Sequence, residues 1–279
     1  MIGKIKVEFD FEHGFVEGIY LKSDNPKAPL VIISNGHNGF YSYGMFPYIQ
    51  EKLHKHGISS FSYNYSHGGV IGDADYFEDL VKYEQNCMRL ETQDLYCVVL
   101  GLEESVINYS ASTPLYLMAH SRGGVPTIFA SKKLLPSDIK IKGLVLVSTI
   151  KSLGRWPADM MKEWEQNGVL YVKNNRTKQE LPQGAELLSE VKQSKAAWNI
   201  EPALKQLDSK ILIIHGADDE AVPLEHGESL HKWAKEAGLE TQLKIIADTG
   251  HTFGTRHPFE GPSTALEQMI SCTVEWVNK

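Results

Sequence analysis

No run of apolar residues in this 279-residue chain approaches the ~20 needed to cross a bilayer, which argues against a membrane span. The stretch Met1 to Glu8 lacks the apolar core of a secretory signal, so a cytoplasmic protein is expected. Basic charge is also short. With 28 Lys and Arg against 35 Asp and Glu, the formal net charge is -7. No basic stripe is available to displace counterions from phosphates, which argues against nucleic acid as a partner. Cysteine is scarce: Cys87, Cys97 and Cys272 are odd in number and show no metal-ligand spacing. They read as reduced packing residues, with neither a disulfide framework nor a metal site. Internal repeats and low-complexity tracts are missing. Hydrophobic residues make up 42% and charged residues 23%, the composition of an ordinary globular chain with a substantial core.

What is present is alternation of strand and helix. Lys4 to Phe11 and Phe15 to Ser23 alternate apolar and polar residues around Glu12-His13-Gly14, which predicts a hairpin at a sheet edge. Pro29 to Asn35, Ile58 to Tyr65, Thr113 to Ser121, Ile141 to Thr149, Lys210 to Gly216 and Thr241 to Ala247 predict further strands, several of them apolar throughout. Helical spacing marks Phe46 to His56, one long helix from Phe77 to about Glu104, and segments near Glu225 to Ala237 and Ser263 to Val277. Such alternation predicts an α/β protein with a mostly parallel twisted sheet and helices on both faces. One connection is too long. About sixty residues separate Thr149 from Lys210, whereas a crossover needs only a dozen or so. It reads as helix (Pro157 to Gln166), hairpin turning at Asn174-Asn175, and helix (Ala185 to Ser194), an inserted lid. The expectation is one domain over residues 1–279 with a lid insertion at 150–206.

Candidate chemistry begins in Leu115-Tyr-Leu-Met-Ala-His-Ser-Arg-Gly-Gly-Val-Pro-Thr127. An apolar strand runs through Ala119-His120-Ser121-Arg122-Gly123 into a helix, the layout of a nucleophile elbow. Ala119 stands where the pattern has glycine. The same string also fits a serine that merely caps a helix. A serine hydroxyl needs a base to take its proton, and the base needs a carboxylate to hold its tautomer. Both residue types lie at later strand ends, in His215-Gly-Ala-Asp-Asp-Glu-Ala-Val-Pro223 and in Asp248-Thr-Gly-His-Thr-Phe253.

In the order Ser, Asp, His, these motifs resemble those of the α/β-hydrolase superfamily over essentially the whole chain. The resemblance implies the α/β-hydrolase fold, with Ser121 as nucleophile, His251 as base and Asp219 as acid, because the family's strand-end motif H-G-x-x-D-x-x-V-P puts the acid at Asp219. Asp218 is then a neighbour that caps or hydrogen-bonds the loop. It also implies an oxyanion hole from the backbone N–H groups of Arg122 and of His37, in the loop Asn35-Gly-His-Asn-Gly39, where Asn35 replaces the family's usual histidine. His120 and Arg122 flank the nucleophile, and their side chains are expected to point away from it or to shape its rim.

The lid carries Trp156, Met160, Met161, Trp164, Tyr171 and Trp198. As a group they suggest an apolar acyl or aromatic pocket, with Trp156, Met160, Trp164 and His67 as candidate substrate contacts. No cofactor is required. The expected reaction is hydrolysis of a small-molecule carboxylic ester through an acyl-enzyme, and the helix-hairpin-helix lid is similar to that of bacterial esterases acting on short acyl or cinnamoyl esters. A thioesterase, a peptidase of the prolyl-oligopeptidase-like kind, and a non-enzymatic binding protein on the same fold are the alternatives. A Rossmann-type dinucleotide binder is disfavoured, since the loop after Pro29 to Asn35 has no G-x-G-x-x-G.

Overall fold

The apolar runs pair side by side. The computed structural model describes residues 3–154 and 156–279. In chain order the first elements are β1 (Lys4–Phe11), β2 (Gly14–Leu21), β3 (Leu30–Ser34), α1 (Phe46–Lys55), β4 (Ser59–Asn64), α2 (Leu80–Gln85) and α3 (Met88–Leu100). Then come β5 (Leu115–His120), α4 (Gly124–Leu134), β6 (Ile141–Val147), α5 (Ala158–Asn167), β7 (Leu170–Lys173), β8 (Glu180–Gln183), α6 (Ala185–Lys192) and α7 (Ile200–Leu204). The chain closes with β9 (Lys210–Gly216), α8 (Glu225–Glu236), β10 (Thr241–Ile246) and α9 (Thr264–Val277).

An eight-stranded sheet runs in the order β1-β2-β4-β3-β5-β6-β9-β10, antiparallel at β1-β2 and β2-β4 and parallel from β4 to β10. Its middle strands β3, β4 and β5 are buried along their whole length. The two-residue period of a strand sends alternate side chains to opposite layers. Val31, Ile33, Tyr116, Met118, Leu212 and Ile214 meet α1 and α9, while Leu30, Ile32, Leu117, Ala119, Ile211 and Ile213 meet α3, α4, α7 and α8. From β3 the chain moves through α1 to β4 on one side, then crosses back to β5 on the other. That reversal opens a crevice at the carboxyl ends of β3 and β5, the usual ligand position in open α/β sheets.

The predicted long helix is two. Asn86 and Cys87 are extended (ψ 133° and 168°) and divide α2 from α3. The reason lies about a hundred residues further on. The Glu190 carboxyl group of α6 accepts hydrogen bonds from the Met88 and Arg89 N–H groups at 2.6 and 2.9 Å, so the restarted helix has its first donors satisfied, although burial pushes the pKa of this carboxyl up to about 7. This contact also ties the inserted segment between β6 and β9 to the body. Gln179 adds a two-way clasp on Phe77, donating to its carbonyl at 2.7 Å and accepting from its N–H at 3.0 Å. Within the insertion α7 is an element the pattern did not predict; Asn199 caps it, its Oδ1 accepting from Glu201 N–H at 3.3 Å.

Removing the Glu190 anchor exposes its worth. Glu190→Ala is expected to lose about 1–2 kcal/mol, a few degrees in Tm, because two buried donors lose their partner. Glu186→Ala breaks an exposed pair with Arg89 and a long contact from Cys87 Sγ at 3.7 Å, and is expected to shift stability by a few tenths of a kcal/mol. Equal melting curves for the two variants would show that α6 is not anchored in this way.

Candidate active site

Ser121 sits where β5 gives way to a single tight turn, Ser121–Gly123, leading into α4. Its φ of +57° lies in the left-handed region, which costs a non-glycine residue about 1–2 kcal/mol and is held here by close packing on both sides. Gly123 lies so near the Asn35 carbonyl that a Cβ would collide with it. A Cβ on Gly36 would come within 2.9 Å of the Ser121 Cβ. The loop after β3 therefore presses directly against the serine. Ala119, at the position where the elbow pattern has glycine, turns its methyl into the large apolar core instead.

The loops after β9 and β10 bring two more side chains to Ser121. They are tied to each other by backbone hydrogen bonds, Ala217 N–H to Ile246 O at 2.8 Å and Asp218 N–H to Thr249 O at 2.9 Å. His251 Nε2 lies 3.0 Å from Ser121 Oγ, and His251 Nδ1 lies 2.8 Å from Asp219 Oδ2. The other carboxylate oxygen, Oδ1, accepts from Val222 N–H at 2.8 Å. Asp219 is buried while Asp218 is exposed. Burial disfavours the charged form of Asp219, but His251 and the Val222 N–H outweigh it and hold the carboxyl below the usual aspartate range.

Two further histidines frame this line. His120 Nε2 donates to the His251 carbonyl at 2.9 Å, and burial pushes the pKa of His120 down to about 3, leaving it neutral. His215, wholly buried, donates from Nε2 to the Val222 carbonyl at 2.8 Å, and burial lowers its pKa also. It braces the loop that carries Asp219. In the sequence His215 is the first residue of the H-G-x-x-D-x-x-V-P string that places the acid at Asp219.

The loop after β3 closes as a turn, Gly39 N–H to Gly36 O at 3.0 Å, with Asn38 at φ +62°. Asn35 donates from Nδ2 to the Tyr63 carbonyl at 2.8 Å and so secures the loop from β4. The His37 ring reaches Tyr83 OH through Nε2 at 3.1 Å, while Tyr83 OH donates to Asn38 Oδ1 and accepts from Gln183 Nε2 at 3.0 Å. The Arg122 side chain turns away from the serine into a nearly buried pair with Glu91 at 2.6 Å.

A cavity of about 310 Å³ opens beside Ser121 and His251, bordered by His37 and Arg122. Its wall is apolar: Ile150, Leu153, Trp156, Leu187, Val191 and Val222. Of the predicted contacts Trp156 lines it, and Met160, Trp164 and His67 do not. Trp164 is wholly buried behind Trp156, edge-on with ring centres 5.2 Å apart, where the fold uses it as core. Met160 packs on the same core. His67 is turned to Ser66 Oγ at 2.8 Å beside β2. Leu187 and Val191 were legible as one face of α6, four residues apart. A second space of about 140 Å³ shares Ser121, His37 and His251 with the first and is edged by Tyr43, Asn174 and Arg176. Among the described residues no cluster of three His, Cys, Asp or Glu side chains is arranged to hold a metal ion. No helix among them is long and apolar enough to cross a membrane.

This sheet, its switch point and its crevice are those of the α/β-hydrolase fold. Residues 159–276 match the prolyl oligopeptidase family. Est1E from Butyrivibrio proteoclasticus is similar in structure, with a TM-score of 0.66 and 19% identity over 99% of this chain and 100% of that one. A structure of ferulic acid bound to Est1E gives a TM-score of 0.67 and 20% identity over 98% and 99%. The acylaminoacyl peptidase of Pyrococcus horikoshii gives 0.67 and 16%, over 99% of this chain but 42% of its own. No curated protein matches the chain.

Proposed function

We propose that the protein is a serine esterase that cleaves small carboxylic esters through an acyl-enzyme. The observation that carries this reading is the unbroken hydrogen-bonded line Asp219–His251–Ser121 opening onto an apolar cavity. Ser121 attacks the ester carbonyl while His251 takes its proton through Nε2 and returns it to the leaving alcohol; Asp219 holds the imidazole in the Nδ1–H tautomer and stabilises its cation. Water then repeats the sequence on the acyl-enzyme. The backbone N–H groups of His37 and Arg122 are the oxyanion donors in this mechanism, set by the Gly36–Gly39 turn and by the Glu91-anchored elbow. Residues 150–206 act as a lid, since Leu153, Trp156, Leu187 and Val191 form most of the apolar wall.

A volume of about 310 Å³ is at the lower end of small-molecule cavities, and it supports a short acyl or single aromatic group. Est1E, a neighbour of the same fold, was determined with ferulic acid bound, which agrees with that size. The test is hydrolysis of 4-nitrophenyl esters of increasing acyl length. The rate is expected to peak at short chains and to fall once the acyl group outgrows the Leu187–Val191 wall; the longer optimum should appear in Leu187→Ala. A wild-type protein that turns over none of these esters would end the esterase reading. The match to the prolyl oligopeptidase family supports peptide-bond cleavage as the second reading, so an N-acyl amino acid 4-nitroanilide belongs in the same panel.

A further inference from the structure

The two spaces at Ser121 differ in the charged side chains at their edges. The larger is walled by aliphatic side chains and Trp156, whereas the smaller is edged by the Arg176 guanidinium with Asn38, Asn174 and Tyr43. An ester bound with its carbonyl at Ser121 has one substituent on each flank.

Arg176 is held in place by the insertion's own hairpin. Asn174 Oδ1 accepts from Arg176 N–H at 3.0 Å and Thr177 N–H at 3.1 Å, a turn pinned to the body by the Gln179–Phe77 clasp. The guanidinium lies over the rings of Phe40 at 5.1 Å and Tyr43 at 5.6 Å, and Nη1 donates to the Asp75 carbonyl. Nη2 has no hydrogen-bond partner. Among the described residues no carboxylate pairs with it within 4.0 Å. Arg122, the other arginine at the site, is neutralised by Glu91. A planar cation on an aromatic platform, with one donor unused and its side chain at the edge of a cavity, is a carboxylate receptor in form.

We infer that Arg176 makes the smaller space an anion subsite, so that the preferred esters carry a carboxylate on one flank of the scissile bond and an apolar group on the other. This deepens the esterase reading and rests on Ser121 as the nucleophile. A guanidinium at the edge of the space it shares with Ser121 gains nothing from a neutral substituent and gains a charge-assisted hydrogen bond from an anionic one.

Two isosteric pairs test it without altering ester reactivity much: 4-carboxyphenyl against 4-carbamoylphenyl butanoate, and 4-nitrophenyl 4-carboxybenzoate against its 4-carbamoyl counterpart. In the wild type kcat/KM is expected to favour the carboxylate in one pair by about ten- to a hundredfold. Arg176→Gln should erase that ratio, and Arg176→Lys should keep part of it. A general loosening of the hairpin would lower both members of a pair and leave the ratio alone. No preference in either pair, or a preference that survives Arg176→Gln, overturns the subsite. Calorimetric binding of 4-carboxybenzanilide against 4-carbamoylbenzanilide separates the two readings. Selective, Arg176-dependent binding with no ester turned over would sustain the subsite and sink the esterase; equal binding, with no selectivity in turnover, sinks the subsite.

Discussion

Ser121→Ala is expected to lower kcat/KM for the best 4-nitrophenyl ester by about 10⁴- to 10⁶-fold, the scale of a lost nucleophile in a hydrogen-bonded triad. In the proposed mechanism the hydroxyl oxygen bonds to the carbonyl carbon, so no neighbour replaces it. The fold should be untouched. Alanine keeps the Cβ that the Gly36 backbone packs against and meets the same demand for a φ of +57° that serine meets. A melting curve within a degree or two of wild type would show that activity was lost without structure. The residual rate is informative as well, because the backbone donors and the cavity remain and are expected to leave it above the uncatalysed background. Equal rates in the two proteins would remove Ser121 from the mechanism.

The fold was legible because its signals are local. Apolar runs such as Leu30 to Ser34 and Lys210 to Gly216 are continuous in sequence, and the strand ends that carry Ser121, Asp219 and His251 follow them directly. What was not legible depends on partners far away in the chain. The break at Asn86 and Cys87 is sustained by Glu190, and no spacing within Phe77 to Glu104 announces it. The insertion's aromatics have similar local signatures, yet Trp156 reaches the cavity while Trp164 is sealed behind it. Arg176 lies in a polar hairpin turn that reads as solvent-facing loop, and only the approach of Phe40 and Tyr43 from the body makes it part of a cavity. Choosing between Asp218 and Asp219 needed a family motif, since adjacent residues of the same type differ only in which way the loop turns them.

Asp219→Asn is the sharper test of that choice, and it is expected to cost about 10⁴-fold in kcat/KM with little change of shape. The carboxylate accepts two hydrogen bonds, from Val222 N–H at Oδ1 and from His251 Nδ1 at Oδ2. An amide has one oxygen and one NH₂. If the oxygen stays on Val222, the NH₂ faces His251 Nδ1, which must then accept; the proton moves to Nε2, and His251 has no lone pair left for the Ser121 hydroxyl. The opposite rotamer sets NH₂ against Val222 N–H, two donors in contact inside a buried loop, which is the costlier arrangement. Either way the base is disabled or the loop is strained. Asp218→Asn changes an exposed side chain whose backbone keeps its bond to Thr249, and its activity should stay within about a factor of two. The stability of the wild type carries the matching signature. Because the folded Asp219 carboxyl titrates below its unfolded value, its contribution is present above the unfolded pKa and fades as pH falls through the folded one. Asp219→Asn should therefore flatten the acid limb of the stability curve. Full activity in Asp219→Asn with loss in Asp218→Asn would reassign the acid and with it the orientation of His251.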